Sequence, residues 1–382
     1  MKKIFFLTFL TALVFLLISC SDNTLSSDDA SSDNINVTGS EYEEVPYDRS
    51  LLKEELPADK YYNGYEFRMF LRKDAEWFDD MYSDVMTGEI VNDAIYYRNN
   101  AVEEKFGIKF TAFSNPGEES WNPGDAAAKT ILAGDAAYDI VVPHARYAFS
   151  AYAQQHLVLN WNVDLPYVDL NKQWWDQDAK NSLAIYDKLY AMTGDISYMS
   201  VGASNCMLFN KKLFNDLIID YPYQTVLDNK WTFDKFEEIA KLGSRDVNGD
   251  GILDLNDDQF GYVTYQWIGP IQILYVGGGR ILDKDREGNP YLSINTERNI
   301  AVYERYFKML DSEYAAMQYN VGDAIFEHYD TFRAGRAIFI DMNIKTISLF
   351  RDMKDDYGII PWPKFDESIE KYRSGQKGKD MI

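Results

Sequence analysis

The sequence predicts an α/β fold of the doubly wound kind, with room for two domains. Between Tyr65 and Val142, segments of strand period alternate with segments of helical period in the order β-α-β-α-β. The last of these strands, Tyr138 to Val142, is short and apolar apart from Asp139, as expected for a parallel strand covered on both faces. The chain has 382 residues, more than one hydrophobic core usually serves.

The elements follow in chain order. Met1, Lys2 and Lys3 precede an apolar run from Ile4 to Ile18, then Ser19 and Cys20. A basic start and a short apolar run form a secretory signal, too short to span a bilayer comfortably. Leu17-Ile18-Ser19-Cys20 resembles the bacterial lipobox, which implies that residues 1–19 are removed and that the Cys20 thiol carries diacylglycerol, with palmitate on the new terminus. Residues 20–58 are rich in Ser, Asp, Asn and Glu and cannot bury enough apolar surface to offset their ordering entropy, so they read as a disordered tether.

Tyr65 to Leu71 alternates like a strand. Asn92 to Phe106 reads as a helix stopped by Gly107, with Ile108 to Phe113 as the next strand and an Ala-rich helix over Gly124 to Gly134. The loop after Val142 carries His144, Ala145 and Arg146. Ligands of such sheets bind outside the carboxyl ends of the strands, which is where this loop falls. Further on, Thr232 can cap a helix whose start is stapled by Trp231 on Phe236. Thr296 caps another, with Ile300, Tyr303, Phe307 and Leu310 on its apolar face. Ala337 to Asp341 and Tyr357 to Ile360 read as later strands, so a second lobe is expected between parts of the first.

A formal net charge of -23 argues against nucleic acid or another polyanion as ligand, because phosphates would be repelled. Aromatic residues make up 15% of the chain, with 28 Tyr and 8 Trp, more than a core alone requires, and some are expected to line a cleft. With Cys20 lipidated, Cys206 has no partner for an internal disulfide. There are three His (144, 156 and 328) and neither an HExxH nor a GxSxG sequence, so hydrolytic chemistry has no recognisable motif. Acid pairs decide nothing among 61 carboxylates.

Dispersed motifs then carry a resemblance. Tyr138-Asp139-Ile140-Val141, Leu208-Phe209-Asn210-Lys211-Lys212-Leu213-Phe214, Trp231-Thr232-Phe233-Asp234-Lys235-Phe236, Phe332-Arg333-Ala334-Gly335-Arg336-Ala337-Ile338 and Tyr357-Gly358-Ile359-Ile360-Pro361-Trp362-Pro363 fall in the order seen in extracellular solute-binding proteins of carbohydrate ABC importers, the group that includes maltose-binding protein. The resemblance implies a two-lobed periplasmic-binding-protein-like fold of class II type. It places 59–163 with about 290–345 in the first lobe and 164–289 with about 346–382 in the second. It also implies a C-terminally incomplete chain, since only 19 residues, Lys364 to Ile382, follow the last motif.

The function implied is capture of a sugar or oligosaccharide for ABC permease subunits, without catalysis, by a monomer held on the extracytoplasmic face of the cell membrane through its lipid alone. A ligand-presenting sensor for a membrane kinase and a surface glycoside hydrolase stay open as alternatives. The expected ligand-binding residues are His144, Arg146, Trp174, Trp175, Asp195, Tyr198 and Trp267. Each aromatic among them could equally fill a core.

Asp246 to Asp257 matches a calcium loop of EF-hand type. Asp246, Asn248, Asp250, Asp254 and Asp257 supply side-chain oxygens at places one, three, five, nine and twelve, the Ile252 carbonyl serves at seven, and Gly251 takes the turn at six. A strand rather than a second helix is expected after it, which makes it a structural clip for Ca2+ rather than a paired sensor.

Overall fold

The computed structural model describes residues 56–73, 75–114, 124–144, 152–319 and 327–375. The signal peptide, Cys20, nearly all of the tether and Arg146 lie outside the described residues. The described residues belong to one compact body, Glu55–Ile382.

Its first sheet is β1 (Tyr65–Leu71), β2 (Ile108–Ser114) and β3 (Ile140–Val141), in the order β2-β1-β3 and all parallel. Three helices connect them: α1 (Ala75–Met81), α2 (Ile90–Phe106) and α3 (Gly124–Leu132). Gly107 ends α2 with φ 61°, a left-handed cap whose N–H bonds the Glu103 carbonyl. The expected strand at Tyr138 to Val142 is shorter than its apolar run, although the Asp139 and Val142 amides still donate to Arg68 and Phe70 at 2.9 Å on either side. The Asp139 carboxylate also turns back to accept from the Tyr65 hydroxyl at 2.7 Å and the Arg68 amide at 2.8 Å.

The second sheet has β4 (Asn205–Asn210), β5 (Phe260–Tyr265), β8 (Ala315–Gln318), β9 (Ala337–Asn343) and β10 (Tyr357–Ile360), in the order β10-β4-β9-β5-β8. β5, β8 and β9 run parallel, and β4 runs against β9 and β10. The central strand β9 is buried at every position. A hairpin of β6 (Leu282–Lys284) and β7 (Pro290–Leu292) stands apart from both sheets.

Each sheet has its own hydrophobic core. Met69, Leu71, Met81 and Val142 pack with Phe67, Phe110, Trp161 and Ile196 around the first. Phe209, Phe214, Trp231, Phe236, Tyr262 and Phe339 lead the core of the second. Among the described residues no core cluster mixes the two groups, and the division falls between Ile196 and Cys206. This corrects the lobe boundaries expected from sequence. Residues 164–198 belong to the first half, because Leu170, Leu183, Leu189, Ala191 and Ile196 pack with its core. β8 and β9, allotted to the first lobe, are hydrogen-bonded into the second sheet.

Most element assignments hold. Thr232 stands at the N-cap of α8 (Phe233–Ala240) in extended conformation but makes no side-chain capping bond, and Trp231 contacts Phe236 edge-on at 6.3 Å. Thr296 does cap α10 (Glu297–Leu310), accepting from the Asn299 amide at 3.2 Å. The buried face of α10 is Asn299, Val302, Tyr306 and Met309, one residue out of step with expectation, and Ile300 and Phe307 are exposed. The Asn299 side-chain amide sets this rotation, donating to the Ser293 carbonyl at 2.9 Å and the Arg280 carbonyl at 3.4 Å. No described helix is long and apolar enough to cross a membrane.

Candidate functional site

The chain passes from the first half to the second over a short stretch. Ile196 packs against the cluster that holds Leu71 and Val142, at the carboxyl ends of β1 and β3. One helical turn, α5 (Met199–Gly202), follows, and Asn205 then pairs with Asn343 at the carboxyl end of β9. The crossing therefore joins the carboxyl edge of one sheet to the carboxyl edge of the other, the edges where ligands of α/β sheets bind.

Both flanks of the crossing are held. On the first half, Asp80 is fully buried and accepts from the Ser197 hydroxyl, and from the Tyr198 amide at 2.9 Å. Arg98 donates to the Ile196 carbonyl at 3.0 Å and to the Met81 carbonyl at 2.8 Å. Burial pushes the Asp80 carboxyl above its usual range, against those bonds and the Arg98 charge, and burial lowers Arg98. On the second half, Asn343 Nδ2 donates to the Ala203 carbonyl at 2.8 Å and the Ile344 amide to the Ser204 carbonyl at 3.0 Å.

Four of the expected ligand residues fall on the crossing or just past the carboxyl ends of strands in the two sheets. Tyr198 begins the crossing with 39% of its surface exposed, and Asp195 beside it is exposed. Trp267 stands two residues past β5 with 51% exposure, and a Trp so exposed is not serving a core. His144 lies two residues beyond Val142 at the carboxyl edge of the first sheet, half-buried.

The adjacent Trp174 and Trp175 divide their roles. Trp175 meets Trp161 edge-on at 5.5 Å in the cluster of Leu170, Leu189 and Met192, so its ring is a core ring. The Trp174 carbonyl accepts from the Asp195 amide at 2.7 Å, which ties it to the segment leading into the crossing.

Sequence reasoning missed Asp80, Arg98 and Asn343, which position the crossing. It also missed Tyr319, 53% exposed just beyond β8 on the same edge as Trp267. Only its place after a strand could have singled Tyr319 out.

The loop at 246–257 keeps the backbone that the sequence expects. Gly249 and Gly251 have φ of 77° and 82°. Asp246 accepts from the amides of Gly249 and Gly251 at 2.6 and 2.9 Å, Asn248 from Asp250 at 3.0 Å, and Asp250 from Ile252 at 2.8 Å. The strand expected after it is β5. Yet among the described residues no three carboxylate, His or Cys side chains come together to hold a metal ion. The oxygens are of the hard kind calcium takes, and each carboxylate that accepts from an amide keeps spare lone pairs. A pocket of about 420 Å³ flanks this loop, lined by Leu253, Asp254, Phe260 and Asp311 among others, and includes none of the junction residues.

No family model matches the sequence, and no curated protein matches it. Solved structures do share the fold. UspC of M. tuberculosis superposes with a TM-score of 0.53 at 14% identity, over 82% of this chain and 73% of that one. A cyclo/maltodextrin-binding protein solved with maltotetraose superposes with a TM-score of 0.52 at 13% identity, over 79% of this chain and 66% of that one. At such identities the likeness is one of fold alone.

Proposed function

We propose that this chain captures a sugar or oligosaccharide at the junction of its two halves and hands it to an ABC importer, without catalysing a reaction. The observation that carries the reading is the pair of exposed aromatic side chains, Tyr198 and Trp267, on two carboxyl edges joined by one crossing. Aromatic faces stack on the C–H surfaces of sugars, and the polar groups of His144 and Asp195 are suited to hydroxyls. Arg146 and Trp174 complete the proposed set. The fold likeness to a maltodextrin-binding protein supports a sugar over other solutes. Lipidation at Cys20, an extracytoplasmic position on the cell membrane and a monomeric state belong to the same proposal and rest on the leader sequence and the motif resemblance.

The test is a panel of oligosaccharides, maltotetraose among them, added to the full-length protein. One class is expected to change tryptophan fluorescence and raise the thermal midpoint, by about 2.7 kcal/mol of stability at a hundredfold excess over Kd. Trp267→Ala should weaken that binding roughly tenfold, as loss of a stacking face does. A full panel with neither fluorescence change nor thermal shift sinks the reading.

The loop at 246–257 is proposed as a structural calcium site, held by Asp246, Asn248, Asp250, Asp254, Asp257 and the Ile252 carbonyl. Its support is the residue pattern and the glycine backbone. Bound calcium would neutralise carboxylates crowded on one turn. Chelation is expected to lower the thermal midpoint and added calcium to restore it, and an unchanged midpoint removes the ion from the account.

A further inference from the structure

The two halves also touch away from the crossing. The Lys284 ammonium, on β6 of the second half, donates to the Asn181 carbonyl in the last turn of α4 (Gln177–Leu183), which packs with the first half through Leu183. Last-turn carbonyls of a helix lack intrahelical partners, and a lysine is suited to satisfy one.

The helix is cut short there by a turn at Tyr186 and Asp187, both at positive φ (50° and 61°), closed by mutual bonds of 2.9 Å between Ile185 and Lys188. Non-glycine residues in that conformation cost about 1 kcal/mol or more each, so the turn is held against strain. It places the Asp187 charge where it acts on Lys284.

The other partner is a braced arm. Asp285 binds Asn289 through its amide at 2.8 Å and its side chain at 2.7 Å, which closes the β6–β7 turn. The base of the hairpin is tied by the Ser293 hydroxyl to the Arg280 carbonyl at 2.9 Å and by Asn299, on α10, to the Ser293 carbonyl.

We propose that the β6–β7 hairpin is a latch between the halves, closed by Lys284 on the end of α4. The crossing is fixed by buried bonds, whereas the latch is one flexible side chain on a partly exposed carbonyl, so it opens while the crossing holds. Its energetic scale suits a gate, since a hydrogen bond to a charged group sets an equilibrium by roughly tenfold or more. Burial and the neighbouring Arg280 lower the Lys284 ammonium, with Asp187 opposing them, so the latch loosens as the solution turns alkaline. The proposal deepens the capture reading by naming what regulates closure, and its test needs no sugar, so its failure leaves that reading standing.

The experiment is amide hydrogen exchange and small-angle scattering on the full chain, comparing wild type with Lys284→Met and Lys284→Arg. Lys284→Met is expected to speed exchange roughly tenfold in 185–188 and 280–293 alone and to widen the radius of gyration, while Lys284→Arg stays near wild type. Wild-type exchange in Lys284→Met overturns the latch. So does faster exchange without widening, which makes the bond a local staple, and so does faster exchange throughout both halves, which makes it general stability.

Discussion

At the scale of the residue, Asp139 shows how one side chain at the start of a strand ties its neighbours. It accepts from the Tyr65 hydroxyl, the Arg68 amide and the Arg68 guanidinium, the last at 3.1 Å. Burial pushes its carboxyl up, but the bonds from Arg68 and Tyr65 outweigh burial and hold it below the usual carboxylate range. A depressed carboxyl contributes stability above its unfolded value, about 3.9, and loses it as pH falls through the folded value. Asp139→Asn should therefore cost about 2 kcal/mol at pH 7 and progressively less as the pH falls below about 3.9, read from urea midpoints at pH 7 and at acid pH. An equal cost at both pH values would show that its charge plays no part. Asp80 is the contrasting case: a buried acid whose bonds fail to overcome burial, spent on holding Tyr198 in place.

At the scale of the element, local chemistry decided where helices begin and tertiary contacts decided which way they face. Thr296 was legible as a cap because its hydroxyl needs only the Asn299 amide three residues on. Thr296→Ala should lower stability by about 1 kcal/mol, measured by chemical denaturation, whereas Thr232→Ala, at a cap with no side-chain bond, should cost less. Equal costs would show that backbone conformation alone sets these helix starts. The apolar face of α10 was not legible, because Asn299, a polar residue, is anchored by carbonyls from a hairpin that the sequence pattern does not announce. The two-residue β3 was overextended for a related reason, since the side chain of Asp139 is held by Arg68 and Tyr65, contacts that lie far away in sequence.

At the scale of the whole molecule, the fold class was legible from alternating periods and ordered motifs, but the division into halves was not. Strand pairing is a long-range property: nothing near Ala337 says that it will lie beside Phe260 rather than beside Tyr65. The same limit applied to the site. Tyr198 and Trp267 could be chosen through the motif resemblance, whereas the buried groups that hold the crossing, Asp80 and Arg98, come from helices far away in sequence. Separate cores predict separate melting. Leu71→Ala should lower the thermal stability of the first half and Phe339→Ala that of the second, each by several kcal/mol, with hydrogen exchange in the other half unchanged. One shared transition, moved equally by both substitutions, would show that the halves unfold as a unit.

The separateness of the cores bears also on how the molecule is made. Among the described residues each core draws on a single continuous stretch of chain, the first ending at Ile196 and the second starting at Cys206. A chain that emerges from its amino end can therefore finish packing the first core before any strand of the second sheet has appeared. The central strand β9 comes late, and β4 and β5 must wait for it, so the second half holds unpaired edges longest. That makes the interval between the emergence of Asn205 and that of Asn343 the period in which a newly made copy is most exposed to pairing with its neighbours.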